Sequence, residues 1–185
     1  MANVLVPIAQ GCEELEAVTI IDLLRRAGIR VVTASLDNQP VKASRGTVLL
    51  ADTTLDEVLD QEFDMIVLPG GLPGADNLNQ DARIHQLLRQ MSSAGKYTAA
   101  ICAAPRVLAT AGLLNGKHAT SFPGSLEGYP TEQMVYEQQP VVVDGKLITS
   151  RGPGTAMDFA LELIEQLAGK TKRDEVEAAL QRPAA

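Results

Sequence analysis

Short apolar runs alternate with amphipathic stretches along nearly the whole chain, and few folds accommodate that rhythm. Asn3–Ala9, Arg30–Ser35, Thr47–Ala51, Asp64–Leu68 and Tyr97–Ile101 read as strands, the third of them following a turn at Asn38-Gln39-Pro40. Between and after them lie helical stripes. Ala17, Ile20, Ile21, Leu24 and Ala27 share one face of Leu15–Ala27, which Gly28 closes. Ile84, Leu87, Leu88 and Met91 form a second stripe, ended by Gly95, and Pro105–Leu114 reads as a third helix with Pro105 in its first turn. Met157, Ala160, Leu161, Ile164 and Leu167 make a fourth stripe, with Thr155 and Asp158 resembling a cap before it. Lys172–Leu180 is expected as a short last helix, and the closing Arg-Pro-Ala-Ala as a frayed tail. Gln139–Val143 and Lys146–Ser150 flank Asp144-Gly145, a hairpin signal. Repeated β–α alternation calls for an α/β protein with a mostly parallel sheet and helices on both faces. Ligands in such folds sit at the carboxyl ends of the strands.

Composition agrees with a sheet buried on both sides. Aromatic residues make up 3% of the chain and Trp is absent, so the core falls to Val, Leu, Ile and Ala. With 185 residues and no repeat, linker or low-complexity segment, residues 1–185 read as a single domain. The formal net charge of −7 opposes a direct grip on nucleic acid. No apolar run approaches the ~20 residues of a membrane span, and no secretory leader is visible at the start. Two cysteines, Cys12 and Cys102, and two histidines offer neither a disulfide framework nor a metal cluster. A cytoplasmic location with reduced thiols is the expectation.

The unusual residues fall where strands end. Cys102 lies between a small-residue strand and a small-residue helix, in Ala99-Ala100-Ile101-Cys102-Ala103-Ala104-Pro105. A nucleophile on a sharp strand-to-helix turn needs such neighbours, and the helix start aims amide N–H groups at the sulfur, favouring thiolate. A buried core cysteine fits the same spacing. Pro69-Gly70-Gly71 lets backbone approach a ligand and could present N–H groups as an oxyanion hole, or be a plain turn. Glu13, Glu14 and Glu16 cluster at the start of the first helix, where acids complement the dipole. One of them turned inward and protonated could serve a thiolate, but periodicity does not choose among the three. Arg26, Arg45 and Arg151 are candidates to neutralise an anion, His85 and His118 lie in no nucleophile–base signature, and Cys12 reads as a bystander.

Taken together, Gly11-Cys12-Glu13-Glu14-Leu15-Glu16-Ala17, Ser44-Arg45-Gly46, Leu68-Pro69-Gly70-Gly71, the Ala99–Pro105 segment and Thr149-Ser150-Arg151-Gly152-Pro153-Gly154-Thr155 resemble the ThiJ/PfpI superfamily. The resemblance is to its Parkinsonism-associated deglycase branch, and most to bacterial YajL-type members. It implies a flavodoxin-like three-layer sandwich and a homodimer. It also implies a nucleophile at Cys102, a protonated carboxyl of Glu16 bonded to the sulfur, and backbone N–H groups of Gly71 and Ala103, beside Gly70, around an oxyanion pocket. Arg45, Ser150 and Glu13, with Arg26 less directly, match residues near the pocket or dimer interface. Some relatives carry His before Pro where this chain has Phe122, so a Cys–His–acid triad is not implied.

Two functions follow from the resemblance. One is a deglycase or cofactor-independent glyoxalase acting on methylglyoxal-type dicarbonyls, or on glycated amines and thiols, without metal or organic cofactor. The other is a redox-regulated chaperone for unfolded client proteins, or an oxidative-stress sensor, working through Cys102 oxidation without turnover. A structural relative with an inert cysteine is the third reading.

Overall fold

The computed structural model describes residues 1–182. Its elements in chain order are β1 (Asn3–Ile8), α1 (Glu14–Arg26), β2 (Arg30–Ser35), β3 (Val41–Lys42), β4 (Val48–Leu49), β5 (Thr53–Thr54), β6 (Met65–Leu68), α2 (Gly74–Gln80), α3 (Ala82–Ser93), β7 (Tyr97–Ile101), α4 (Pro105–Thr110), β8 (His118–Ala119), β9 (Val135–Tyr136), β10 (Val141–Asp144), β11 (Leu147–Ser150), α5 (Ala156–Ala168) and α6 (Lys170–Ala179). Seven strands form the central sheet in the order β10-β11-β7-β6-β1-β2-β5. Every neighbouring pair runs parallel except β10 with β11, whose hairpin pairs Asp144 with Leu147 across the turn. This is the expected flavodoxin-like α/β sandwich.

Strand alternation divides the core into two layers. Val4, Val6 and Ile8 of β1, Met65 and Val67 of β6, and Ala99 and Ile101 of β7 face α1, α5 and α6. Leu5, Ile66, Leu68 and Ala100 point the other way, against α2, α3 and α4. A period of two makes each of these central strands apolar throughout, because both faces are covered. Phe159 of α5 is fully buried in the first layer and is the bulkiest of its buried side chains.

Local expectations differ from the structure in several places; the strand read at Thr47–Ala51 is only Val48–Leu49, paired with β3 in a hairpin outside the central sheet. The third helix stops at Thr110 rather than Leu114, where Ala111 and Gly112 fold back onto the last carbonyls. The Thr155 hydroxyl does not cap α5; it bonds the Gly152 backbone and lies 2.7 Å from the Ser150 hydroxyl. Of the tail, Arg182 pairs with Asp158 and Glu177, and 183–185 lie outside the described residues. No helix among the described residues is long and apolar enough to cross a membrane.

The carboxyl ends of β1, β6, β7 and β11 gather on one edge of the sheet. The chain leaves β1 toward β2 on one side and returns to β6 on the other, so a crevice opens between the loops following β1 and β6. Truncating Phe159 to Ala leaves a void in the layer that fixes α5 against the sheet. We expect a loss of about 3–5 kcal/mol, read from urea denaturation midpoints at unchanged slope.

Candidate functional site

Cys102 follows β7 directly and adopts φ 63°, in the left-handed region that residues with a side chain avoid. Three hydrogen bonds hold it there. Its N–H donates to the Ser150 carbonyl at 3.0 Å, while its own carbonyl accepts from the Phe122 N–H at 2.8 Å and the Ser125 hydroxyl at 3.3 Å. Such over-determination is what keeps a residue in a strained conformation costing of order 1–3 kcal/mol. The turn sends the thiol out of the strand, 9% exposed, into a cavity of 590 Å³. Gly71, Leu72, Ala103, Phe122 and Ser125 contribute to its wall, as do three charged side chains, Glu13, Arg45 and Arg106.

The three glutamates of the α1 start take three different places. Glu14 turns to the β3–β4 hairpin. Burial opposes its charge, but N–H groups of Arg45 and Thr47, its own backbone and the Ser44 hydroxyl outweigh that and hold its carboxyl down to about 2. Glu13 lines the cavity and accepts from the Ser44 hydroxyl at 2.9 Å. Glu16 is wholly buried, on the face of α1 that carries Ile20 and Leu23. One of its oxygens accepts the Gly70 N–H at 2.8 Å; the other is buried without a well-formed hydrogen bond, and the carboxyl lies close enough to the Cys102 thiol for each to perturb the other.

Packing around this pair is tight. A Cβ on Gly70 would lie 2.6 Å from the Cys102 Cβ and 2.7 Å from the Glu16 carboxyl, so no other residue fits. Gly71, at φ +90°, would bring a Cβ within 2.3 Å of the Glu13 nitrogen. The two glycines have different tasks. Gly70 gives its N–H to Glu16, whereas the N–H groups of Gly71 and Ala103 point to the sulfur and favour its charged form.

Those amides do not win alone. Burial is the largest influence on the Cys102 thiol, followed by the charge and hydrogen bond of Glu16, and together they push it up to about 12. Both influences oppose the thiolate expected from the helix start: the sulfur is itself buried, and the fold sets an acid with no exposed surface beside it. Burial likewise lifts Glu16 to about 7, against the pull of the Gly70 N–H and of Cys102. The pair resists carrying two negative charges at once. Near neutrality the arrangement is a thiol next to a carboxyl poised to take its proton.

The other expected residues lie at varying distances from this centre. Arg45 reaches the cavity wall because the hairpin is pinned there, by Ser44 N–H to the Cys12 carbonyl at 2.8 Å and by Glu14. Ser150 is buried behind Cys102, its hydroxyl donating to the Pro140 carbonyl at 2.8 Å. Arg26 lies at the far end of α1 and pairs with Asp22 at 2.7 Å, away from the cavity. Arg151 reaches the Gln138 carbonyl. His85 bonds the Asn79 carbonyl, His118 pairs with Glu137, and neither is in the cavity wall. Cys12 is fully buried, and burial, with Glu14 and Glu13 nearby, pushes its thiol up to about 11. Among the described residues no group of three or more His, Cys, Asp and Glu side chains is placed to hold a metal.

Arg106, Ser44 as the hydroxyl between Glu13 and Glu14, and Ser125 belong to the site without standing out in the sequence by type or spacing. Arg106 leaves a trace of another kind: a cation in the first turn of a helix opposes the dipole and asks for another reason to be there.

Glu16 binds its proton more tightly folded than unfolded, where 4.5 is its ordinary value. Its burial therefore leaves stability intact below that value and erodes it as pH rises through about 7. The loss amounts to about 3 kcal/mol. Glu16→Gln, which keeps an acceptor for Gly70, is expected to match wild type at pH near 4.5 and to exceed it above 7 by up to that amount, in denaturant titrations across the range.

Comparison with known proteins places this geometry. A family model described as the DJ-1/PfpI family matches residues 2–166. The Drosophila melanogaster protein dj-1beta is 46% identical over 175 residues, covering 94% of this chain and 94% of that protein. Its crystal structure matches with a TM-score of 0.92 at 45% identity, covering 99% of each chain. DJ-1 homolog A of Arabidopsis thaliana is 46% identical over 180 residues, 96% of this chain; the chain spans 46% of that protein's length. A Caenorhabditis elegans protein named glutathione-independent glyoxalase DJR-1.2 is 36% identical over 174 residues, 92% of this chain and 90% of that one. With a family model over most of its length and this identity to full-length relatives of the same fold, the chain belongs to the DJ-1/PfpI family.

Proposed function

We propose that this chain is a cysteine-dependent enzyme of carbonyl stress, a cofactor-independent glyoxalase for methylglyoxal-type dicarbonyls, with deglycase action on their adducts as the same chemistry on a larger substrate. One observation carries the reading. A buried carboxyl with its pKa lifted to about 7 adjoins a nucleophile that opens into a cavity. General acid–base catalysis is most effective when the group titrates near the working pH. The glyoxalase name of the C. elegans relative supports the same choice.

The chemistry balances with these groups and water alone. As the Cys102 sulfur bonds to the aldehyde carbon, its proton passes to the Glu16 carboxylate. The carbonyl oxygen gains the electron pair, held by the N–H groups of Gly71 and Ala103, and then takes that proton back. Glu16 next removes the proton from the former aldehyde carbon, the C–H pair forming a carbon–carbon double bond as the neighbouring carbonyl becomes an enediolate oxygen. The first carbon's hydroxyl proton passes to that oxygen and Glu16 delivers its proton to the neighbouring carbon, leaving a hydroxy thioester. Water cleaves the thioester to a hydroxy acid and frees the thiol. An adduct substrate would release its amine or thiol as well.

Exposed apolar side chains, Leu15 and Val18 of α1, Val48 of β4 with Leu50 just after it, and Met157 of α5, support the homodimer expected from the resemblance. Two unpaired cysteines suit a reducing, cytoplasmic setting. The redox reading uses the same sulfur, and the thiol's opening to the cavity favours it as the alternative.

The test is lactate formation from methylglyoxal without glutathione. We expect turnover that rises with pH through about 7 as Glu16 becomes a base, and that is lost in Cys102→Ser. Glu16→Gln should lower kcat by about 100-fold or more and flatten the profile. Absence of turnover, with Cys102 gaining two oxygen atoms under mild peroxide, would transfer the assignment to redox sensing.

A further inference from the structure

Arg106 stands in the first turn of α4, four residues after the nucleophile, and its side chain forms part of the wall of the Cys102 cavity. It is 13% exposed, so the charge is largely taken out of water. An enclosed cation calls for compensation, and here it is incomplete. Nη1 donates to the Asp76 carboxylate at 2.7 Å, and the Tyr129 ring lies 5.3 Å from the guanidinium carbon. Asp76 is itself 39% exposed and shares its charge with water. Nε is buried and meets no acceptor. Nη2 likewise meets no protein acceptor among the described residues, and a guanidinium N–H left open at the cavity wall suits an oxygen of a carboxylate or phosphate.

The rest of the cavity points the same way. Its wall holds two guanidinium groups, Arg45 and Arg106, against the single carboxylate of Glu13, in a chain whose net charge is −7. Glu13 is partly satisfied by the Ser44 hydroxyl. The volume of 590 Å³ also exceeds what a three-carbon dicarbonyl fills.

We propose that Arg106 determines specificity by binding an oxyanion carried by the substrate, so that the cavity favours electrophiles bearing a carboxylate or phosphate over neutral ones. The inference builds on the reading of Cys102 as the attacking nucleophile. It deepens that reading by naming the substrate class.

A pair of alkylating agents tests it without requiring turnover. Iodoacetate and iodoacetamide differ in charge but little in size, and with each the Cys102 sulfur bonds to carbon as iodide leaves. Rates are followed by peptide mass spectrometry at Cys102. Arg106→Gln is expected to lower the iodoacetate-to-iodoacetamide rate ratio about tenfold, the worth of one charge-assisted hydrogen bond. Arg106→Lys should give an intermediate ratio, since it keeps charge but loses the fork. Asp76→Asn, which frees the guanidinium from its counter-charge, should raise the ratio. A merely structural Arg106 predicts that Asp76→Asn and Arg106→Gln change both rates together. A ratio that moves less than about twofold in Arg106→Gln, or that falls in Asp76→Asn, overturns the proposal. Methylglyoxal turnover measured on the same samples separates the two claims. A shifted ratio supports the Arg106 site whether or not turnover is found, whereas an unshifted ratio with turnover removes the site and leaves the enzyme.

Discussion

Burial of the Glu16 carboxyl beneath Cys102 constrains everything around it. A carboxyl with no exposed surface must find donors inside the protein, and the nearest backbone available is the turn that ends β6. That turn can come close enough only without side chains, because a Cβ on Gly70 would overlap both the acid and the cysteine. The loop after β1, the turn after β6 and the elbow after β7 are therefore fitted to one another. The parallel sheet supplies the frame, since it brings those three strand ends side by side. The positive φ of Cys102 belongs to the same fit, locked by Ser150, Phe122 and Ser125.

Much of the frame was legible from periodicity. β2 and β7 have the ends read from the sequence; α3 buries its expected stripe whole, and α1 and α5 bury most of theirs, with Ile21, Ala27 and Leu167 half-buried and Met157 exposed. Those segments carry enough apolar residues at one spacing for a single face to stand out. α2 did not stand out. Its Gly74-Ala-Asp-Asn-Leu-Asn-Gln80 has weak helix formers and buries only Gly74, Ala75 and Leu78. The two-residue strands β5, β8 and β9 are too short for any alternation to show, and they exist because a neighbouring strand or loop pairs with them.

The site was legible in a different sense. Cys102 and the two glycines announce themselves by type and by position at strand ends. The choice among Glu13, Glu14 and Glu16 does not follow from type, although Glu16 lies four residues before Ile20 and seven before Leu23, on the stripe that faces the sheet. An acid on an apolar face is a local inconsistency, and such conflicts concentrate where function overrides stability. Arg106 is a second conflict of that kind, a cation at a helix start and nearly enclosed. What no pattern could supply was the sign of the cysteine's perturbation. The amides of the helix start favour the thiolate; the burial of the sulfur and then the charge of the acid beside it weigh more, and their weight comes from the fold.

That reversal bears on how the centre can work. A stable thiolate would be reactive toward any electrophile or oxidant that entered the cavity. A thiol beside a carboxyl that titrates near 7 is activated only when its proton moves, and the move is easiest when the sulfur is already bonding to an electrophilic carbon. Each step of the proposed cycle then trades a proton within a neutral or singly charged pair, and the doubly charged state that burial forbids never forms. On the proposed reading, the burial that lowers stability as pH rises through about 7 also sets the working pH of the acid, so that cost and function would both follow from a single contact between α1 and the elbow after β7.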